Sequence, residues 1–250
     1  MYFFPFLKEI IKRDFKKKYY KSVLGVAWSM LSPLLLMIVI TIVFSTIFRR
    51  TIEHYPAYWF SGNLIFTFVF DASTLAMGSI IGNASLIKKM RIPNYFFVIS
   101  TVTQSFINTL FSIIPFFLVS LVIGVEFTPY MLLIPVPLLM SYIFTIGLGL
   151  LLCAYGTFLR DLNYLYHVLR RAFLYLTPIF YPIEIIPDQF KFIWDINPIY
   201  VYIQIFRDLT LNGCMPSEKL LIIGTAYSVL TLALGAVVFK EKQDRFFLYI

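Results

Sequence analysis

RDFKKKYYKSVLGVAWSMLSPLL, residues 13–35, decides the fold. Seven Lys and Arg residues fall between positions 8 and 21, and then no charged residue appears for 27 residues, from Ser22 to Phe48. A helix crosses a hydrocarbon core about 30 Å thick with about 20 apolar residues. Ile92–Val125, Phe127–Leu159 and Leu220–Phe239 are likewise uncharged, and Ala57–Gly82 carries only Asp71. Sixty per cent of residues are hydrophobic and 14% charged, against roughly 25% charged in soluble domains. Too few polar side chains remain to cover a soluble surface. The expected fold is an all-α polytopic membrane protein.

The net charge of +8 does not indicate a nucleic acid, because the basic residues flank apolar spans, where Lys and Arg hold loops on the cytoplasmic side. Their distribution also sets the number of spans. The expected spans are 28–48, 57–82, 96–124, 131–158, a short fifth at 166–182, and 220–239. This arrangement, with the N-terminus inside, puts 16 of the 21 basic residues inside. Five spans would put the basic tail 240–250 outside. The expectation is six spans with both termini cytoplasmic. The first run lacks a small-residue cleavage site and reads as a retained span. Arg170 and Arg171 are expected to snorkel to the inner interface.

Two further segments stand out. In residues 1–21, Phe3, Leu7, Ile10, Ile11, Phe15 and Tyr19 recur at helical spacing among lysines, which predicts an amphipathic helix at the cytoplasmic interface. Residues 183–213 are apolar and aromatic but broken by Pro187 and Pro198. They predict two short helices, 189–196 and 199–211, with Asn197 as N-cap and Pro198 at the first position of the second. Backbone at membrane depth must be buried in protein or line a wet cavity, so re-entrant helices on the outer side are expected; the alternative is a pair lying flat on the leaflet.

The sequence carries no catalytic constellation. His54 is expected outside and His167 inside, so they share no metal. Cys153 lies in a span and Cys214 in a loop, so no disulfide is expected. The phosphate-cradling pattern G-x-x-x-x-G-K-[ST] is absent, and none of the 11 glycines precedes a lysine. The chain is therefore read as no enzyme and as binding no cofactor itself; ATP and Mg would belong to a partner subunit. Asp71, an acid inside a span, is expected to face a wet cavity or a neighbouring helix; a proton relay is the alternative.

Several motifs carry a likeness. The quoted stretch has Arg-Asp, a basic run, Ser-x-Leu-Gly, a tryptophan and Pro-Leu. GNASLIKKMRIP (82–93), RDL (160–162) and TPIFYPIEIIPDQFKFIWDINPIYVYIQIFRD (177–208) follow in order. Together they resemble the permease subunits of ABC exporters for lipid-linked polysaccharides of the O-antigen, teichoic acid and capsule type. The resemblance covers nearly the whole chain, as one transmembrane domain over 1–250. It departs at Phe66, where relatives often have tryptophan. It implies a homodimer, two copies of a separate ABC ATPase, residence in the bacterial cytoplasmic membrane among its lipids, and export of a polymer on an undecaprenyl-type lipid.

On that resemblance, the cytoplasmic loop 83–95 is the expected ATPase-coupling element, through Ser85, Leu86, Ile87, Lys88, Lys89, Met90, Arg91, Ile92 and Pro93, with Arg160 and Asp161 nearby. The lysines and arginine there can also be simple topology anchors. Arg13, Lys16, Lys17, Lys18, Tyr19, Tyr20 and Lys21 are expected to meet the carrier's diphosphate at a cytoplasmic gate, or else to anchor on bulk anionic lipid. The chain holds 27 Phe, 17 Tyr and 3 Trp, and sugars stack their C–H faces on such rings. Trp28, Trp59, Phe66, Tyr175 and Tyr181 are expected to line the path. Trp194, Asn197, Pro198 and Tyr200 are expected at an exit gate. Competing readings are an ion-coupled or facilitative transporter without an ATPase, a membrane enzyme of lipid or sugar transfer, and an ABC permease for a small lipid or drug. A neighbouring ATPase gene separates the first two from an ABC permease.

Overall fold

The computed structural model describes residues 8–13, 16, 24–48, 52–89, 92–159, 161–183, 187 and 196–249, with backbone alone at 45–48 and 247–248. Among the described residues every regular element is helical. Among the described residues five helices are long and apolar enough to cross a membrane. They are α1 (Ala27–Phe48), α2 (Tyr55–Met77), α5 (Tyr95–Val122), α6 (Pro135–Gly156) and α9 (Glu218–Lys242). Between α2 and α5 lie two single turns, α3 (Ser79–Gly82) and α4 (Ala84–Ile87). A 3₁₀ turn at Pro129–Leu133 leads into α6, and another at Gln243–Leu248 follows α9.

The fifth apolar segment is shorter than expected and starts earlier. Helix α7 runs Leu162–Leu176, and its 15 residues reach only about 22 Å. Thr177 is extended at φ −90, ψ 131, because Pro178 disfavours helical geometry in the residue before it. The chain from 177 to 183 is irregular. Helix α8 (Pro198–Thr210) then begins at the proline. Asn197 caps it, its side-chain oxygen accepting from the N–H of Ile199 at 3.0 Å and of Tyr200 at 3.4 Å. The helix expected at 189–196 lies outside the described residues. In the N-terminal segment, 8–13 and 16 are helical, with Ile10 buried and Lys8, Lys12 and Lys16 exposed.

Helix α2 is the hub, packing against α1, α5, α6, α7 and α8, and most of it is buried. Interlocked aromatics fix it: Phe60 on Phe116 and Phe68 on Phe106 join it to α5, at centroid distances of 5.8 and 5.5 Å. Helices α6 and α9 meet backbone to backbone. A Cβ on Gly147 would lie 2.4 Å from the Thr231–Leu232 backbone, and one on Gly235 would lie 2.3 Å from the Gly147 carbonyl. With little hydrophobic drive between helices in lipid, such close approach supplies the contact energy. Ser228 Oγ, on α9, adds a bond to Met140 O on α6, 2.8 Å.

Helix α1 does not begin level with α5. Ser29, in the first turn of α1, has its carbonyl bonded by Ser112 Oγ at 2.9 Å. Ser112 stands 17 residues into α5, about 26 Å along it. The lower parts of α2 and α5 are thus not covered by α1, and a cleft opens there.

Candidate functional site

The cleft has a volume of about 530 Å³. Three helices turn polar residues into it at helical spacing: Ser29 and Ser32 from α1, Asn63, Thr67, Asp71 and Thr74 from α2, Ser105, Asn108, Thr109 and Ser112 from α5. Apolar Pro33, Leu36, Leu64 and Leu75 complete the wall with Trp28 and Phe68. The threonine hydroxyls point their protons backward into their own helices. Thr67 donates to Asn63 O at 2.6 Å, Thr74 to Phe70 O at 2.7 Å and Thr109 to Ser105 O at 3.1 Å. Their oxygens keep free lone pairs, so the wall offers weak acceptors. Together with the amide groups of Asn63 and Asn108, which both donate and accept, such a wall suits hydroxyl-rich ligands and holds none tightly.

One ion pair interrupts this mild surface. Arg170 of α7 bonds Asp71 of α2 at 2.5 Å, with the two side chains 30% and 52% exposed. Arg170 therefore lines the cleft at Asp71. Tyr166, one turn earlier on α7, pairs its hydroxyl with Ser73 at 2.6 Å, and Phe70 contacts both the Tyr166 and Phe173 rings. These contacts fix α7 against α2 and hold the pair in place.

A second polar centre lies at the opposite end of α2. Arg207 of α8 is 3% exposed. Its Nη1 donates to Pro178 O at 2.9 Å, Nη2 to Tyr58 O at 3.1 Å and Nε to Ser61 Oγ at 3.3 Å. The guanidinium also lies over the Tyr58 ring, 3.5 Å from its centroid. Tyr58 and Tyr55 donate in turn to the carbonyls of Tyr181 and Phe180, at 3.0 and 3.1 Å. In the irregular stretch 177–183 the carbonyls of Pro178, Phe180 and Tyr181 are thus satisfied by protein side chains. Asn197 Nδ2 closes the arrangement on Thr177 Oγ1 at 2.9 Å. A small polar pocket of about 180 Å³ sits beside it, lined by Tyr58, Tyr200, Gln204, Arg207 and Asn212 among others.

This geometry is that of a helical membrane protein with a polar cleft along a buried hub helix. A family model described as "ABC-2 type transporter" matches residues 6–211. The chain belongs to the ABC-2 type transporter family. Curated relatives match it almost end to end. It is 29% identical over 248 residues to the "O-antigen export system permease protein RfbA" of Klebsiella pneumoniae, covering 98% of this chain and 95% of the relative. A protein of the same name from Myxococcus xanthus is 25% identical, covering 96% and 93%. The "Polysialic acid transport protein KpsM" of Escherichia coli is 19% identical, covering 95% and 93%.

The residues singled out in this ABC-2 chain divide by position. Trp28 lines the cleft. Trp59 and Phe66 do not; each is 1% exposed, packed on Phe60 and Phe70 respectively. Both are part of the core around α2 in the single chain. Tyr175 is exposed, and its carbonyl accepts from Tyr181 OH at 2.6 Å. Both stand at the irregular stretch and not in the cleft. Tyr200 is buried beside Arg207's pocket.

At the far end of α2, Asn83 separates the two single turns. It accepts a 2.8 Å bond from Arg13 Nη2 and donates one to Ser79 O. The structure thus joins Arg13 to the 83–95 loop, a contact between two segments read separately in the sequence. Ser85, Lys88, Lys89 and Asp161 are exposed, Leu86, Ile92 and Pro93 partly so, and Ile87 is buried. Lys16 is exposed. Lys17, Lys18, Tyr19, Tyr20, Lys21, Met90, Arg91, Arg160 and Trp194 lie outside the described residues. Cys153 is buried, Cys214 exposed, and both are free. Among the described residues no three His, Cys, Asp or Glu side chains cluster as metal ligands.

Of the cleft residues, Trp28 and Asp71 stand out in the sequence as an aromatic and an intramembrane acid, whereas the neutral Ser, Thr and Asn residues do not. The signal was present: Asn63, Thr67, Asp71 and Thr74 recur at one helical face, and Ser105, Asn108, Thr109 and Ser112 do the same.

Proposed function

We propose that the chain is the permease subunit of an ATP-driven exporter that moves lipid-linked polysaccharide across the bacterial inner membrane. The observation that carries this is the end-to-end likeness to permeases named for O-antigen export and to proteins named for polysialic acid transport. The cleft supplies a physical counterpart: weak acceptors at many points hold a hydroxyl-rich chain without trapping it.

In this reading the chain crosses six times, with both termini cytoplasmic. Helix α7 and the stretch 177–183 together make the fifth crossing. Helix α8 dips into the outer half, supported by its burial against α2, α6 and α9. Two copies work with two copies of an ABC ATPase, which holds ATP and Mg. The exposed loop at Ser85, Lys88 and Lys89 receives the ATPase, and Arg13 ties the N-terminal helix to that loop. The test is deletion in the host followed by complementation. Loss of surface polysaccharide with lipid-linked polymer retained inside, restored by the intact gene, is the expected result. Unchanged surface polysaccharide would overturn the assignment.

A further inference from the structure

Asp71 and Arg170 form a charge pair in a cleft that otherwise offers only neutral groups. Charges at membrane depth face protein or a wet cavity, and the partial exposure of both side chains places this pair on the cavity. A pair so exposed is only weakly held, so a better anion can displace the carboxylate. A guanidinium takes phosphate oxygens through two parallel bonds, and a phosphate ester with more than one negative charge outcompetes a single carboxylate. The surroundings specify the rest of the ligand. Leu64, Phe68, Leu75 and Trp28 border the same space, which fits an apolar chain beside the anion. The pair also sits toward the end of α2 where α1 gives no cover: six residues separate Asp71 from Met77, about 9 Å of helix. Bonding between Tyr166 and Ser73 holds α7 in register, so an exchange of Arg170's partner needs only a side-chain movement.

We propose that Arg170 binds the phosphate head of an isoprenoid phosphate lipid, and that Asp71 occupies Arg170 until that head arrives. The carboxylate keeps the empty cleft neutral and excludes weaker anions, a repulsive element that sharpens selection. This rests on the reading of the chain as an exporter of a lipid-linked polymer.

The test measures radiolabelled farnesyl diphosphate binding to the full-length chain in phosphatidylcholine nanodiscs. Arg170→Gln is expected to weaken binding about tenfold or more, the loss of a charge-assisted contact. Asp71→Asn is expected to tighten it, because the competing anion is gone. The double variant should resemble Arg170→Gln, and Arg170→Lys should fall between it and the wild type. Opposite signs for the two single variants distinguish exchange from a structural ion pair, in which both variants weaken binding together. Parallel weakening, or no change in either, overturns the proposal. Inorganic pyrophosphate and phosphatidylglycerol serve as competitors; competition by either as effective as that of unlabelled farnesyl diphosphate would reassign the site to free anions or bulk lipid and overturn it. Export is scored separately by complementation. Wild-type export with unaltered binding in Arg170→Gln overturns the site alone, whereas failure of the wild-type gene to complement overturns the exporter reading.

Discussion

Arg207 shows how a single residue can determine a loop. It sits on α8, yet its donors reach Pro178 on the irregular stretch and Tyr58 and Ser61 on α2. Replacing it with methionine keeps the bulk and removes the fork. Among the described residues Pro178 O would then retain the 3.3 Å bond from Tyr58 OH. A hydrogen bond from a charged donor is worth about 1.5–3 kcal/mol, and burying the guanidinium offsets part of it. Arg207→Met is expected to lower the melting temperature in detergent by several degrees and to speed proteolysis near residues 177–183. Arg207→Lys should recover little, because one ammonium does not span three acceptors. Unchanged melting and proteolysis would show that the stretch is held by Tyr55 and Tyr58 alone. At this scale the sequence was only partly legible. Asn197 and Pro198 announced a cap by residue type. Nothing in the chain order announced that Arg207 would meet Pro178, or Arg170 meet Asp71, because those contacts depend on how helices stack.

At the scale of elements, long uncharged runs gave four spans to within a few residues, since a membrane span is a local property of composition. The helix of the marginal span starts and ends earlier than expected. Its N-terminal half carries Arg170 and Arg171, so hydropathy pushed the expected helix toward Pro182, whereas Pro178 ends it at Leu176. Two predictions belong here. The α6–α9 pair depends on Gly147 and Gly235, whose added Cβ atoms would overlap the opposing backbone. Gly147→Val is expected to force those helices apart, costing at least the 1–3 kcal/mol usual for overpacking, seen as lower yield of monodisperse protein. Gly82→Ala, where a Cβ meets nothing within 4 Å, is the matched control. Coupling is the second. Ile87 is 4% exposed, so an acid there would disturb the fold before it disturbed a partner. The exposed Lys88 and Lys89 are the cleaner probes. Lys88→Glu with Lys89→Glu should leave the permease monodisperse and reduce co-purification of the ATPase severalfold; full co-purification would leave the lysines as topology anchors.

For the whole molecule the question is what closes a polar path when nothing is moving. An open route wide enough for a sugar chain would leak ions. The cleft approaches one end of α2, and the Arg207 centre, with its small pocket, occupies the other. Helix α8 sits between α2, α6 and α9 with nearly every residue from Ile199 to Thr210 buried, and on the proposed reading it is the element that closes the bundle at that end. Opening the path would require α8 to shift and would uncover Tyr200, which is 8% exposed and faces the pocket with Gln204 and Asn212. Tyr202 is a poor reporter, because its hydroxyl is bonded to Ser228 at 2.8 Å in the core. Ile196, just before the cap, is 64% exposed and reports the surface. Single cysteines at Tyr200 and Ile196 belong in a variant lacking Cys153 and Cys214. Burial and the nearby Asp208 charge raise the Cys214 thiol above its ordinary pKa, which slows its reaction at neutral pH without abolishing it. A membrane-impermeant thiol reagent is then applied from outside, with ATP turnover on and off. The Ile196 position is expected to label quickly in both conditions. Tyr200 is expected to label slowly at rest and several times faster during turnover. Equal slow labelling in both conditions would make α8 a fixed part of the core, and the closing element would then have to be sought in the segment before Ile196.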